Sequence, residues 1–191
     1  MEIGTHNSMT YLKPKRWYLY PFRFIARCQS LAIDEQYKRG IRLFDIRISY
    51  DKDNNPEFRH GSMAFKGDVY KTLEWLNNQS EPVKIRILLE ENKESLTKEV
   101  LFVKDIAQFK REFTNLTFYE GRRKFDWKKV ATLPDLEVIQ LVSSMQGNKI
   151  DDIWPWLYAK LHNKKNLNKF TEEYKYVVDH IPILLDFIEI Q

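Results

Sequence analysis

The order of strand-like and helix-like segments is what most limits the folds open to this chain. Short apolar runs at Ile41–Ser49, Val83–Glu90, Glu137–Ser143 and Ile183–Ile190 are rich in Ile, Leu, Val and Phe and read as buried strands. Weaker strand signals cover Met1–Thr5, Glu57–Phe65, Leu116–Glu120 and Tyr174–His180. Between them, Ser30–Arg39, Gly67–Asn78, Lys93–Phe113 and Ile150–Asn163 carry apolar residues three or four apart, the helical spacing. Gly40, following Lys38 and Arg39, reads as a helix stop. Strand followed by helix, repeated, predicts an α/β fold with a mostly parallel sheet. Eight strands permit a closed barrel, yet 191 residues fall short of the roughly 250 usual for a (β/α)8 barrel. The expectation is a small, distorted or incomplete (β/α)8 TIM-type barrel, with residues 1–191 in one domain and some crossover helices short or missing.

A chain of this size buries a real core without staples, and 43% hydrophobic with 30% charged residues is a globular composition. The net charge of +4 gives only a weak pull toward anionic partners and does not choose among nucleic acid, membrane and phosphorylated substrate. Cys28 is the sole cysteine, which excludes an intrachain disulfide and a thiolate metal cluster; it reads as a small buried apolar residue. No stretch reaches the 18 or so uninterrupted apolar residues of a membrane span, and His6 arrives before a secretory signal could fit. As written, the chain reads as soluble and cytoplasmic.

Chemistry concentrates in three short motifs: Gly-Thr-His6-Asn-Ser, Phe-Asp45-Ile-Arg47 and Arg-His60-Gly. Two imidazoles and one fixed cation can cleave a phosphodiester without a metal. One imidazole takes the proton of an attacking hydroxyl, the other protonates the leaving oxygen, and the guanidinium neutralises charge on the phosphoryl oxygens. On a strand, residues two apart share a face, so Asp45 and Arg47 point one way and Phe44, Ile46 and Ile48 the other. A plain surface ion pair is the competing reading. The turn cluster Asp51–Pro56 folds the strand bearing His60 back beside the one bearing Arg47.

Taken in series, Gly4-Thr5-His6-Asn7-Ser8, Cys28-Gln29-Ser30-Leu31 with Gln36, Gly40-Ile41-Arg42-Leu43-Phe44-Asp45-Ile46-Arg47 and His60-Gly61 resemble the X domain of phosphatidylinositol-specific phospholipases C, the bacterial metal-independent branch above all. The resemblance is strong over residues 4–92 and thin beyond. It implies a distorted barrel with the motifs at the strand C-terminal ends, and release of diacylglycerol after the inositol 2-hydroxyl attacks the phosphodiester. It also implies His6 as general base, His60 as general acid, and Arg47 where calcium-dependent relatives place a carboxylate ligand. Asp45 would orient Arg47 or a neighbour. Asp186, in Leu185-Asp186-Phe187, would support the base histidine.

Departures bear on the substrate. Asn7 stands where bacterial members carry an aspartate, Glu90 where they carry an inositol-contacting lysine, and Ser143 near where they carry an arginine. Asn7 and Glu90 are therefore expected on the substrate side, and phosphodiester cleavage is better supported than phosphatidylinositol as substrate. Asn7, Asp45 and Glu90 would offer oxygens to calcium, but Arg47 puts a fixed charge in the same space, so no cofactor is expected. Alternatives are a metal-dependent glycerophosphodiester phosphodiesterase or sphingomyelinase D-like enzyme, which needs paired carboxylates on one strand, and a degenerate barrel serving as a membrane- or partner-binding module.

Residues 11–27 interleave Tyr11, Trp17, Tyr18, Tyr20, Phe22 and Phe24 with Lys13, Lys15, Arg16, Arg23 and Arg27. The plainer reading is a long loop whose aromatics pack on the barrel; the other is an interfacial patch in transient contact with a membrane surface. No recognised nucleic-acid module accompanies them, and nucleic acid is not an expected partner. Lys160, Lys164, Lys165 and Lys169 follow Trp154-Pro155-Trp156 and read as a solvated basic face over a packed aromatic pair; His162 and His180 read as structural or exposed.

Overall fold

A computed structural model describes residues 2–91, 95–124, 139–141, 154–173 and 182–189. Eight strands run through these residues: β1 (Ile3–Thr5), β2 (Leu43–Tyr50), β3 (Pro56–His60), β4 (Met63–Ala64), β5 (Val83–Glu91), β6 (Leu116–Lys124), β7 (Ile139–Leu141) and β8 (Ile183–Leu185). The helices are α1 (Arg23–Ala26), α2 (Ile33–Lys38), α3 (Val69–Asn77), α4 (Leu96–Glu112) and α5 (Pro155–Glu173), with a 3-10 helix at Trp17–Phe22.

Parallel pairs join β6 to β5, β5 to β2, β2 to β1, β1 to β8 and β8 to β7. This is the staved wall of a barrel, but among the described residues it does not close, β6 and β7 forming its two edges. The expected strand at Tyr174–His180 and the residue Ser143 lie outside the described residues, as does His180. The single run expected over Glu57–Phe65 is instead a hairpin. β3 lies antiparallel to the end of β2, with Ile48 opposite Phe58, and β4 turns back on β3, with His60 opposite Met63. The strand expected over Ile183–Ile190 stops at Leu185, and Asp186 follows in a bend.

Alternation along the strands sorts the side chains into two layers. Phe44, Ile46 and Ile48 of β2 and Ile85, Ile87 and Leu89 of β5 join Leu73 and Leu76 of α3 and Phe102, Ile106 and Phe109 of α4 in the buried apolar layer outside the sheet. Each such side chain contributes about 1.5–3 kcal/mol when fully buried. The opposite face of the same strands carries Gly4, Leu43, Asp45, Arg47, Arg86 and Glu90. At its base the wall is tight: a Cβ on Gly4 would fall 2.8 Å from Leu184 Cδ2 and 2.9 Å from Leu43 Cγ, so only glycine lets β1 lie between β2 and β8. Asp68 caps α3 by accepting from the Lys71 N–H at 3.0 Å. Helix α2 starts three residues later than its sequence pattern and ends before Gly40, whose N–H bonds the Tyr37 carbonyl at 2.9 Å.

Candidate functional site

Parallel register brings the polar residues of the inner face together. Gly4 pairs with Leu43 and Leu184, so the next inward residues, His6, Asp45 and Asp186, fall at one level, and Asp45 pairs with Arg86 across the β2–β5 ladder. His6 and Asp186 sit just past the C-terminal ends of β1 and β8, where barrel enzymes place their sites, while Asp45 and Arg86 reach the same level from within the longer β2 and β5.

His6 is fixed on both ring nitrogens. Nδ1 lies 2.6 Å from Asp186 Oδ1, and Nε2 lies 2.5 Å from Arg47 Nη2. Carboxylates accept and guanidinium nitrogens only donate. The proton is thus on Nδ1, given to Asp186, and Nε2 presents a lone pair. The backbone around this pair is held by other buried groups. His6 N–H bonds the Leu185 carbonyl at 2.9 Å, Gln29 Nε2 donates to Leu185 O at 2.7 Å, and Asn163 Nδ2 donates to Asp186 O at 2.7 Å. Phe187 N–H bonds Cys28 O at 2.7 Å.

Arg47 lies among carboxylates. Its Nε and Nη2 each reach Asp45 Oδ2 at 3.2 Å, and Nη1 reaches Glu90 Oε2 at 3.0 Å. Asp45 also accepts from Arg86 Nη1 at 2.7 Å and from the Asn7 backbone N–H at 3.0 Å. Burial alone would raise the Asp45 pKa, but Arg47, Arg86 and His6 hold it well below the usual carboxylate range. Burial works against the charge of Arg47 too, and the Asp45 and Glu90 carboxylates overcome it. The Asp45–Arg47 pair is buried rather than a surface ion pair.

His60 stands across from His6, with ring centroids 6.2 Å apart and planes near perpendicular at 88°. Its Nδ1–H donates to the Ala26 carbonyl at 2.8 Å, beside Cys28 Sγ at 3.7 Å. Desolvation pushes His60 down to about 4, with Glu90 opposing that shift and Arg47 adding to it. Cys28 is buried as expected but lies against the site; burial first, then Asp186, pushes its thiol well up.

Of the residues singled out in the sequence, His6, Asp45, Arg47, Glu90 and Asp186 form one contiguous cluster, with His60 at its edge. Glu90 places Oε2 on Arg47 and Oε1 on the Gly61 N–H at 2.5 Å. Asn7 is buried with φ 46; its backbone holds Asp45, while its Nδ2 has no hydrogen-bond partner among the described residues. Arg86 escaped sequence reading, and Gln29 entered it only as part of a motif, with no role assigned. The signal for Arg86 was present, since it shares a face with Glu90 at even spacing inside an apolar strand.

A cation among Asn7, Asp45 and Glu90 would meet the Arg47 guanidinium, which already spans the Asp45 and Glu90 carboxylates. The ligating atoms of His6, Cys28 and Asp186 lie within 4.8 Å of one another. There, however, the 2.6 Å His6–Asp186 hydrogen bond and the Arg47 contact use both imidazole nitrogens. The arrangement suits proton transfer next to a fixed cation better than metal ligation.

The expectation that the aromatics of residues 11–27 pack on the barrel holds for Tyr11, which packs against the core, and is corrected for those from Trp17 to Phe24. Trp17 is 85% exposed, and Tyr18, Tyr20, Phe22, Phe24 and Ile25 are exposed as well: the 3-10 helix buries none of its residues, and α1 buries only Ala26. Trp154 and Trp156 pair as expected, with ring centroids 6.2 Å apart, but both rings are exposed rather than buried. Trp154 meets Phe24 with centroids 5.9 Å apart, and Lys160 lies over the Trp156 ring. No helix among the described residues is long and apolar enough to cross a membrane.

No family model matches the sequence, and no curated protein matches it. Solved structures do. Phosphatidylinositol-specific phospholipase C from Listeria monocytogenes superposes with a TM-score of 0.65 at 16% identity, over 100% of this chain and 89% of that one. A point mutant of the Staphylococcus aureus phosphatidylinositol-specific phospholipase C gives 0.63 at 13% identity, over 97% and 84%. A form of the S. aureus enzyme with pentafluoro-Phe incorporated gives 0.62 at 12% identity, over 97% and 85%. The chain thus shares the fold of bacterial phosphatidylinositol-specific phospholipases C.

Proposed function

We propose that this protein cleaves a lipid-type phosphodiester by general acid–base catalysis without a metal. The observation that carries the reading is the state of His6: Nδ1–H given to Asp186, with the Nε2 lone pair turned to Arg47 and His60 on the far side. A phosphoryl oxygen entering beside Arg47 competes for the Nη2–H that Nε2 now accepts and so releases the lone pair for the attacking hydroxyl. The hydroxyl proton passes to His6, its oxygen bonds to phosphorus, the bond to the leaving oxygen breaks, and that oxygen takes a proton from His60. His60 is neutral in the empty site near pH 7, and an anionic phosphodiester beside it favours its charged form. Asp45 and Arg86 hold the guanidinium in place, and Arg47 supplies the charge that a metal would otherwise bring.

The exposed aromatics at Trp17–Phe24 and Trp154 beside cations form a surface suited to headgroup depth, which fits a membrane-borne substrate. Among the solved structures of this fold, one S. aureus phosphatidylinositol-specific phospholipase C concerns modulation of that enzyme's membrane binding. The test is hydrolysis of phosphatidylinositol in vesicles and of a soluble inositol phosphodiester, with and without EDTA. Turnover that survives chelation supports the reading, and turnover requiring a divalent ion favours the glycerophosphodiester or sphingomyelinase D kind of enzyme. A second reading, a binding module without turnover, is favoured by Glu90, which occupies one arm of Arg47. Absence of cleavage of any phosphodiester would select it.

A further inference from the structure

Glu90 is 1% exposed, and its two oxygens serve different parts of the site. One accepts from Arg47 Nη1 at 3.0 Å, and the other from the backbone N–H of Gly61, the residue after His60, at 2.5 Å. The β2–β3 ladder runs from Tyr50–Pro56 to Ile48–Phe58, so His60 lies two residues beyond the last paired position. Past that point the His60 turn itself is tied by the imidazole contact with Ala26 O and by Glu90, while the returning strand β4 is held by the Lys15 N–H to Ala64 O bond. Gly61 has φ 56, a left-handed conformation that a side chain would strain.

We propose that Glu90 is a positioning residue: by holding Arg47 with one oxygen and the Gly61 N–H with the other, it fixes the separation of the guanidinium and the His60 imidazole that grip the phosphodiester. The proposal rests on the phosphodiesterase reading above. A headgroup ligand would present its carboxylate to the substrate, whereas here both oxygens already accept from protein donors. The charge matters as well as the reach. The ionisable groups facing His60 are Glu90 on β5, Arg47 on β2, His6 after β1 and Cys28 after α1. Glu90 is the anion among them that favours the protonated imidazole.

Two substitutions in the full chain separate reach from charge. Glu90→Gln keeps the length but has a single acceptor oxygen, so it can satisfy only one of the two donors. Glu90→Asp keeps the charge but is too short to span both. Turnover of a soluble inositol phosphodiester should fall about ten- to hundredfold in kcat in each, with KM little changed. A histidine-ring NMR titration should find the His60 midpoint moved to lower pH in Glu90→Gln and close to wild type in Glu90→Asp. Wild-type kcat in Glu90→Gln with an unmoved His60 midpoint overturns the proposal. So does a rise in KM at constant kcat, which would make Glu90 a headgroup contact. Should the wild-type chain cleave no phosphodiester, the phosphodiesterase reading fails by itself. The tie is then judged by the Gly61 amide, which must lose protection from hydrogen exchange in Glu90→Asp; unchanged protection refutes it.

Discussion

His6 and Asp186, 180 positions apart in the sequence, meet at 2.6 Å between Nδ1 and Oδ1. The contact depends on β1 pairing with β8 in the register that sets Gly4 opposite Leu184. It selects the tautomer with the lone pair on Nε2. Asp186→Asn places an amide where the carboxylate accepts and weakens that selection. Turnover should fall about a hundredfold or more, by analogy with the orienting aspartate of serine proteases, while circular dichroism reports an intact fold. Turnover near wild type would remove Asp186 from the mechanism.

His6→Ala and His60→Ala should each lower turnover about a hundredfold or more, the scale of general acid and base contributions. The double variant should lose little beyond either single one, because the two imidazoles serve one proton-transfer sequence. Steady-state kinetics on the folded proteins decides this, and multiplicative losses would separate the two roles.

Arg47 neutralises Asp45 and Glu90 in a buried site, so Arg47→Met should cost about 3 kcal/mol of stability as well as turnover. Urea unfolding measures the first, and a loss below about 1 kcal/mol would mean the carboxylates find other partners. Arg47→Asp should abolish activity in EDTA and create a calcium requirement through Asn7, Asp45 and Glu90.

His60 titrates near 4 in the fold because of burial, against about 6.5 in the unfolded chain. Below 6.5 the unfolded chain takes up a proton that the folded imidazole refuses. The stability His60 contributes is therefore complete above about pH 6.5 and declines as pH falls toward 4. His60→Gln should flatten this part of the profile in urea midpoints measured across the interval. A slope that persists unchanged assigns the effect to other groups.

Trp17→Ala combined with Phe24→Ala removes two exposed rings without touching the core. Partitioning onto anionic vesicles should weaken about tenfold or more, with turnover of a soluble substrate unchanged. Equal binding of both proteins would take this surface out of substrate access.

Much of the barrel wall was legible because apolar strands declare themselves locally. β2 and β5 carry most of their apolar residues on the outer face, and Asp45, Arg47, Arg86 and Glu90 lie on the inner one, so alternation alone set Asp45 with Arg47. Local patterns failed where tertiary packing ended an element early. β8 stops at Leu185 because the chain turns there to bond Cys28 O through Phe187 N–H. The hairpin at His60 was half legible: the Asp51–Pro56 turn fixed the return, and Gly61 offered a residue able to take the left-handed turn conformation, but a lone glycine does not say that the chain reverses there.

By itself, the sequence determined which residue types could do chemistry and which strands bear them, since side-chain alternation and motif spacing are properties of neighbours along the chain. Only the tertiary structure decided their partners. Parallel register put His6 level with Asp186 and Asp45 with Arg86, and the hairpin brought the Gly61 N–H to Glu90. It also left the aromatics around Trp17 on the surface, which composition could not decide, because a ring's exposure depends on which distant segments cover it.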